Sequence, residues 1–149
     1  TLCGTGIRIG ELQFITVESA RTGRAEIWLK GKSRTIVLQK ELCRRLLKYA
    51  KANGIEHGHI FRTRSGWPLD RSNVCHDMKK LCRKAGVDSQ KVFPHSLRHL
   101  FARSFIAVEK NLAHLADILG HSRIETTRIY VAVSAASHER ILQRMNLIL

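Results

Sequence analysis

Four side chains with the makings of a reaction centre stand within 36 residues of one another: His95, Arg98, His121 and Tyr130. None of the four is a carboxylate; all are hydrogen-bond donors or donor/acceptors, a set that suits an anionic centre. His95 and Arg98 are three residues apart, so they share a face if a helix starts near Ser96. His121 follows Gly120, a helix-ending signal, and precedes Ser122-x-x-Glu125, a capping-box pattern for a new helix carrying Tyr130 two turns along. Far upstream, Arg8 sits between the apolar residues Ile7 and Ile9. An arginine is rarely buried without a partner, and Glu11, three residues on, is its plain structural one.

The elements that must position these groups are legible in outline. Gly4 and Gly6 end an initial helix, and Ile9, Leu12 and Ile15 restart a short apolar face. From Val17 to Leu38 the period changes to two, which reads as antiparallel strands turning at Thr22-Gly23 and around Gly31. Lys30 and Lys32 flank the second turn, where a lysine is ordinarily only solubilising. Residues 41–53 carry Leu42, Leu46, Tyr49 and Ala50 on one helical face, which makes Tyr49 a core residue. Ile60-Phe61 and Trp67-Pro68-Leu69 read as a small extended hairpin. Asp70 or Ser72 then caps a helix with Val74, Met78, Leu81, Cys82 and Ala85 on its apolar side, closed by Gly86. Its other side carries Lys79, Lys80, Arg83 and Lys84, either an ordinary wet face or one that tracks phosphates. Two further helices carry the apolar series Leu97 to Ile106 and Leu112 to Leu119, and a last one, about 135–147, aligns His138, Ile141, Leu142 and Met145. The fold class expected is α+β, mainly helical, with a small antiparallel sheet near the N-terminus.

At 149 residues the chain is one domain with a sizeable core. Lys and Arg outnumber Asp and Glu by 26 to 12, and 44% of residues are hydrophobic, so the surplus belongs to a folded body and not to a disordered tail. A polyanion is the natural partner, nucleic acid the commonest. Cys3, Cys43, Cys75 and Cys82 form no C-x-x-C pair, and three interrupt apolar helical faces as buried thiols. His57-Gly58-His59 has no thiol pair and reads as a loop, not a metal site, and His99 and His114 read as structural. With no signal peptide or transmembrane run among these residues, a reducing, cytoplasmic compartment is the expectation.

Taken in order, Thr5-Gly-Ile-Arg8-Ile-Gly-Glu-Leu12, a hairpin lysine, His95-x-x-Arg98, Leu119-Gly-His121-Ser122 and Tyr130 resemble the catalytic domain of the tyrosine recombinases, the phage integrase family. The resemblance covers nearly the whole chain. It implies a DNA breaking-and-rejoining domain with a three-stranded sheet. Its implied active site is Arg8, Lys30, His95, Arg98, His121 and the nucleophile Tyr130, with Lys32 as the alternative to Lys30. Lys32, Arg34, Lys79, Lys80 and Arg83 are expected to contact DNA. The resemblance further implies a bacterial or phage-encoded protein acting on double-stranded DNA without metal or cofactor. It would be monomeric when free and tetrameric on DNA through its C-terminal stripe. A helical domain that clamps the other face of DNA lies outside these residues, so the chain is expected to be the catalytic piece of a longer protein. A relaxing topoisomerase or a non-catalytic DNA-binding module of the same fold are the other readings.

The implied chemistry fits the residue types. A tyrosine with a pKa near 10 is phenolate in only about one copy in 10³ at neutral pH, a deficit of roughly 4 kcal/mol. Tyr130 would attack phosphorus and store the bond energy in a phosphotyrosyl link. Arg8 and Arg98 would grip the non-bridging oxygens, and His121 would add a donor. His95 would assist proton transfer at the tyrosine hydroxyl and Lys30 would protonate the departing 5′ oxygen.

Overall fold

The computed structural model describes residues 1–29, 31–121 and 123–129; Lys30, Ser122 and 130–149 lie outside them, and with them Tyr130 and the C-terminal stripe. The chain opens with one helical turn, α1 (Leu2–Thr5), closed by Gly6 in the left-handed region at φ 65°. A Cβ on Gly6 would collide with the ring of Phe101, so glycine here permits both the turn and the close approach of a later helix. A 3₁₀ helix (Ile9–Phe14) follows, with Arg8 as its N-cap.

Next comes α2 (Val17–Thr22), where the alternation in the sequence predicts a strand. Local capping overrides that alternation. Thr16 and Ser19 form a reciprocal capping box, the Thr16 hydroxyl accepting from the Ser19 N–H and the Ser19 hydroxyl from the Thr16 N–H. Gly23, at φ 75°, ends the helix. Among the described residues the sheet has two strands, not three: β1 (Arg24–Leu29) pairs antiparallel with β2 (Lys32–Val37), in register from Arg24 opposite Val37 to Leu29 opposite Lys32. The hairpin expected at 60–69 is reduced to a single bridge between Arg62 and Pro68.

The remaining described elements are helical: α3 (Lys40–Ala52), α4 (Arg71–Lys84), α5 (Pro94–Val108), α6 (Leu112–Leu119) and the single turn α7 (Glu125–Arg128). None of them is long and apolar enough to cross a membrane. The main core gathers Ile7, Leu12, Ile15 and Val17 from the N-terminal segment, Ile27 and Ile36 from the hairpin, Leu46 and Ala50 from α3, and Ile60. Tyr49 is not part of it. It sits at the edge of the α3 stripe and is 51% exposed, while Cys43, Leu46 and Ala50 carry the buried centre. A second core joins α5 to α6 through Ala102, Leu115 and Leu119, with Phe101 and Phe105 packed against them. All four cysteines are free thiols; Cys43 and Cys82 are buried, Cys75 is half-buried and Cys3 is exposed. Asp70 caps α4 by accepting from the Asn73 N–H at 2.7 Å.

Because the Thr16 hydroxyl caps the first turn of α2, Thr16→Ala should destabilise the fold by about 1 kcal/mol. Urea unfolding followed by circular dichroism reads this; an unchanged midpoint contradicts the capping account.

Candidate active site at the end of one helix

An α-helix leaves its last carbonyls without intrahelical partners and carries the negative end of its dipole there. At the C-terminal end of α6 three successive carbonyls each take an arginine from a different element. The Ile118 oxygen accepts from Arg34 Nε of β2 at 3.3 Å. The Leu119 oxygen accepts from Arg98 Nη2 of α5 at 2.8 Å, and the Gly120 oxygen from Arg8 Nη2 at 3.2 Å. Gly120 holds φ 64°, and a Cβ on it would lie 2.6 Å from Arg34 Nη1, so the guanidinium packs where a side chain would otherwise stand.

Each arginine is also tied from its other side. Arg98, only 2% exposed, donates from Nη1 to the Gly6 oxygen at 2.5 Å. Arg34 meets Glu11 in a two-pronged ion pair, at 2.9 Å from Nη1 and 2.7 Å from Nη2. Arg8 reaches the same carboxylate from Nη1 at 3.2 Å and from its backbone N–H at 2.7 Å. Glu11 is fully buried, and burial alone would raise its pKa. The hydrogen bonds from the Arg34 side chain and the Arg8 backbone, and the charges of both arginines, outweigh that and hold it below the usual carboxylate range. One carboxylate between two guanidinium groups leaves a net positive charge, to which Arg98 adds another.

His121 is read from its partners. Its Nε2 lies 3.0 Å from Arg98 Nη2 and its Nδ1 lies 2.8 Å from the hydroxyl of buried Thr127. A guanidinium can only donate, so Nε2 carries the lone pair and Nδ1 the proton, donated to Thr127. Burial first, then the charges of Arg98, Arg8, Arg34 and His95, push the imidazole down to about 4. His95 stands exposed in the first turn of α5, with its ring edge-on to His99 at 4.4 Å between centroids.

Together Arg8, His95, Arg98 and His121 line one cleft of about 470 Å³. Of the six residues expected to act, these four are therefore brought together, and Lys30 and Tyr130 lie outside the described residues. Lys32, Lys79, Lys80 and Arg83 are exposed, as a DNA-facing role requires. Arg34, expected to contact DNA with them, has only 18% of its side chain exposed and is turned inward onto Glu11. Three residues escaped the sequence reading. Arg71 and Cys75 line the cleft from the first turns of α4, and Thr127 holds His121. Spacing could have found the first two, since Arg71 and Cys75 are four residues apart in a helix capped by Asp70 and share a face.

The pH dependence follows from two lowered values. The unfolded chain takes up protons at about 6.5 on histidine and about 4.3 on glutamate, before the folded chain does. Stability therefore falls as pH drops from about 6.5 to about 4 on account of His121. It falls again below about 4.3, through the lower folded value of Glu11. An NMR titration should place His121 near 4, and a value near 6.5 would contradict the arrangement.

The sequence profile of the phage integrase family matches residues 1–137. Tyrosine recombinase XerD of Yersinia pestis is 31% identical over 151 residues, covering 95% of this chain and 50% of the relative. For XerH of Campylobacter jejuni the identity is 35% over 132 residues, 85% of this chain and 37% of the relative. XerA of Pyrococcus furiosus is 29% identical, over 99% of this chain and 53% of that protein. The chain thus spans about half the length, or less, of the curated relatives it matches. A crystal structure of XerA recombinase superposes with a TM-score of 0.75 at 25% identity, covering 99% of this chain and 55% of that one. XerH bound to its difH substrate shares the fold with a TM-score of 0.81 at 22% identity, over 99% of this chain and 45% of that one. With the profile spanning residues 1–137 of 149, the chain belongs to the phage integrase family of tyrosine recombinases.

Proposed function

We propose that this chain is the catalytic domain of a site-specific recombinase that cuts and rejoins double-stranded DNA through a 3′-phosphotyrosyl intermediate. The observation that carries the reading is the convergence of Arg8, Arg98 and His121, distant in sequence, on one positively charged cleft.

In this reading the scissile phosphate sits in the cleft with its non-bridging oxygens against Arg8 and Arg98. Both arginines are already oriented by the α6 carbonyls, so they bring charge to the transition state with little reorganisation. Tyr130 attacks phosphorus, the bond to the 5′ oxygen breaks, and that oxygen takes a proton from Lys30 and leaves as a hydroxyl. His95 assists proton transfer at the tyrosine hydroxyl. A 5′ hydroxyl from another strand then reverses the sequence and frees the tyrosine. His121 accepts from Arg98 at Nε2; a phosphate anion beside it favours a proton on that nitrogen and turns it into a donor. Arg71, at the cleft wall, adds a further cation.

Lys32, Lys79, Lys80 and Arg83 contact the backbone of the same duplex, each steepening the salt dependence of binding by about 0.9 per phosphate neutralised. The apolar stripe of Ile141, Leu142 and Met145 packs onto a neighbouring protomer, coupling active sites in a tetramer on DNA. The protein works where genomic DNA is, in the cytoplasm of a bacterial cell.

A pool of duplexes with a randomised central tract, nicked on one strand, tests the reading. Wild-type protein should leave a covalent protein–DNA adduct, and Tyr130→Phe should bind the same duplexes and leave none. An adduct that survives Y130F, or none from the wild type, contradicts the proposal. In light scattering without DNA the protein should be a monomer; a stable dimer contradicts the DNA-dependent assembly.

A further inference from the structure

Arg34 is a cation at the edge of the site to which the mechanism gives no task. All three of its nitrogens are engaged inside the protein, each through one of the five N–H groups of the guanidinium. Two go to the Glu11 oxygens at 2.9 and 2.7 Å and one to the Ile118 carbonyl at 3.3 Å. Its guanidinium fills the space beside Gly120. Glu11 in turn holds Arg8 by its backbone N–H and by Nη1, and Gly120 supplies the carbonyl that takes Arg8 Nη2. Both groups that fix the Arg8 guanidinium are therefore groups that Arg34 itself fixes. We infer that Arg34 is a positioning residue: it aims Arg8 at the scissile phosphate through Glu11 and the α6 end, and makes no phosphate contact of its own.

The geometry explains why an arginine is needed. Glu11 is fully buried, and because Arg34 donates to both of its oxygens, Arg8 carries only part of the pairing. Arg34 takes one hydrogen bond to each oxygen through a planar fork that a lysine lacks. Arg8, with 42% of its side chain exposed, keeps a face toward the cleft. Without Arg34, the unshared carboxylate would draw Arg8 more fully onto itself and away from the phosphate. Through Arg34 the hairpin is thereby tied to the cleft.

This inference rests on the recombinase reading above, and its test separates the two. Arg34→Met and Arg34→Lys are compared with wild type in two measurements. The first is binding to a labelled 30-base-pair duplex of mixed sequence across a salt series. The second is the single-turnover rate of adduct formation at saturating concentration of a nicked duplex selected from the randomised pool. A misplacement on the order of 1 Å costs about 10²-fold in rate, so R34M should lose about 10- to 100-fold in rate, and R34K should recover part of the loss. The slope of log K against log salt should stay unchanged in both. A slope shallower by about 0.9, with the rate recovering at higher DNA concentration, would make Arg34 a phosphate contact and overturn the inference. So would an R34M rate equal to wild type. Should R34M fail to fold by circular dichroism, R34K and Glu11→Gln carry the same comparison: a rate loss at constant slope supports the inference, and unchanged rates overturn it. A wild type that leaves no adduct on any duplex overturns the recombinase reading itself, and this inference with it.

Discussion

A helix ends with carbonyls that nothing in the helix can satisfy, and at α6 three guanidinium groups from β2, α5 and the N-cap of the 3₁₀ helix supply their partners. Cations placed there gain from the dipole as well as from the hydrogen bonds. The same contacts gather charge that would otherwise repel itself at close range. A single buried carboxylate, Glu11, moderates that repulsion without cancelling it. The positive cleft follows from how one helix terminates.

That end must itself be held. Leu115 and Leu119, both fully buried, lock α6 against α5, so the carbonyl that receives Arg98 stands in register with the helix that carries it. Gly6 does the corresponding work at the start of the chain, letting Phe101 close on α1 while its carbonyl takes the other edge of Arg98. Packing and polar geometry are thus solved by the same residues. His121 completes the arrangement because its lone pair faces Arg98 and its proton faces Thr127, which fixes the ring without a charge.

Much of this was legible in the chain because motif and element coincide. Gly120 announces a helix end, the spacing of His95 and Arg98 announces a shared face, and Arg8 between two isoleucines announces a charge that needs a partner. What escaped was decided by contacts between residues far apart in sequence, or by local bonds stronger than the pattern around them. Arg34 looked like one more basic residue of a hairpin, since its partner Glu11 lies 23 positions away. Val17–Thr22 alternates like a strand, yet one capping box commits it to a helix. Tyr49 falls on the margin of an apolar stripe whose centre needs only smaller side chains.

Nitrogen-15 NMR of the arginine side chains in the DNA-free protein tests the central claim most directly. Guanidinium groups pinned to the α6 carbonyls should show slowly rotating, individually resolved Nη protons for Arg34 and Arg98, with hydrogen-bond couplings to the carbonyl carbons of Ile118 and Leu119. Signals averaged like those of solvent-exposed arginines, with no such couplings, would contradict it.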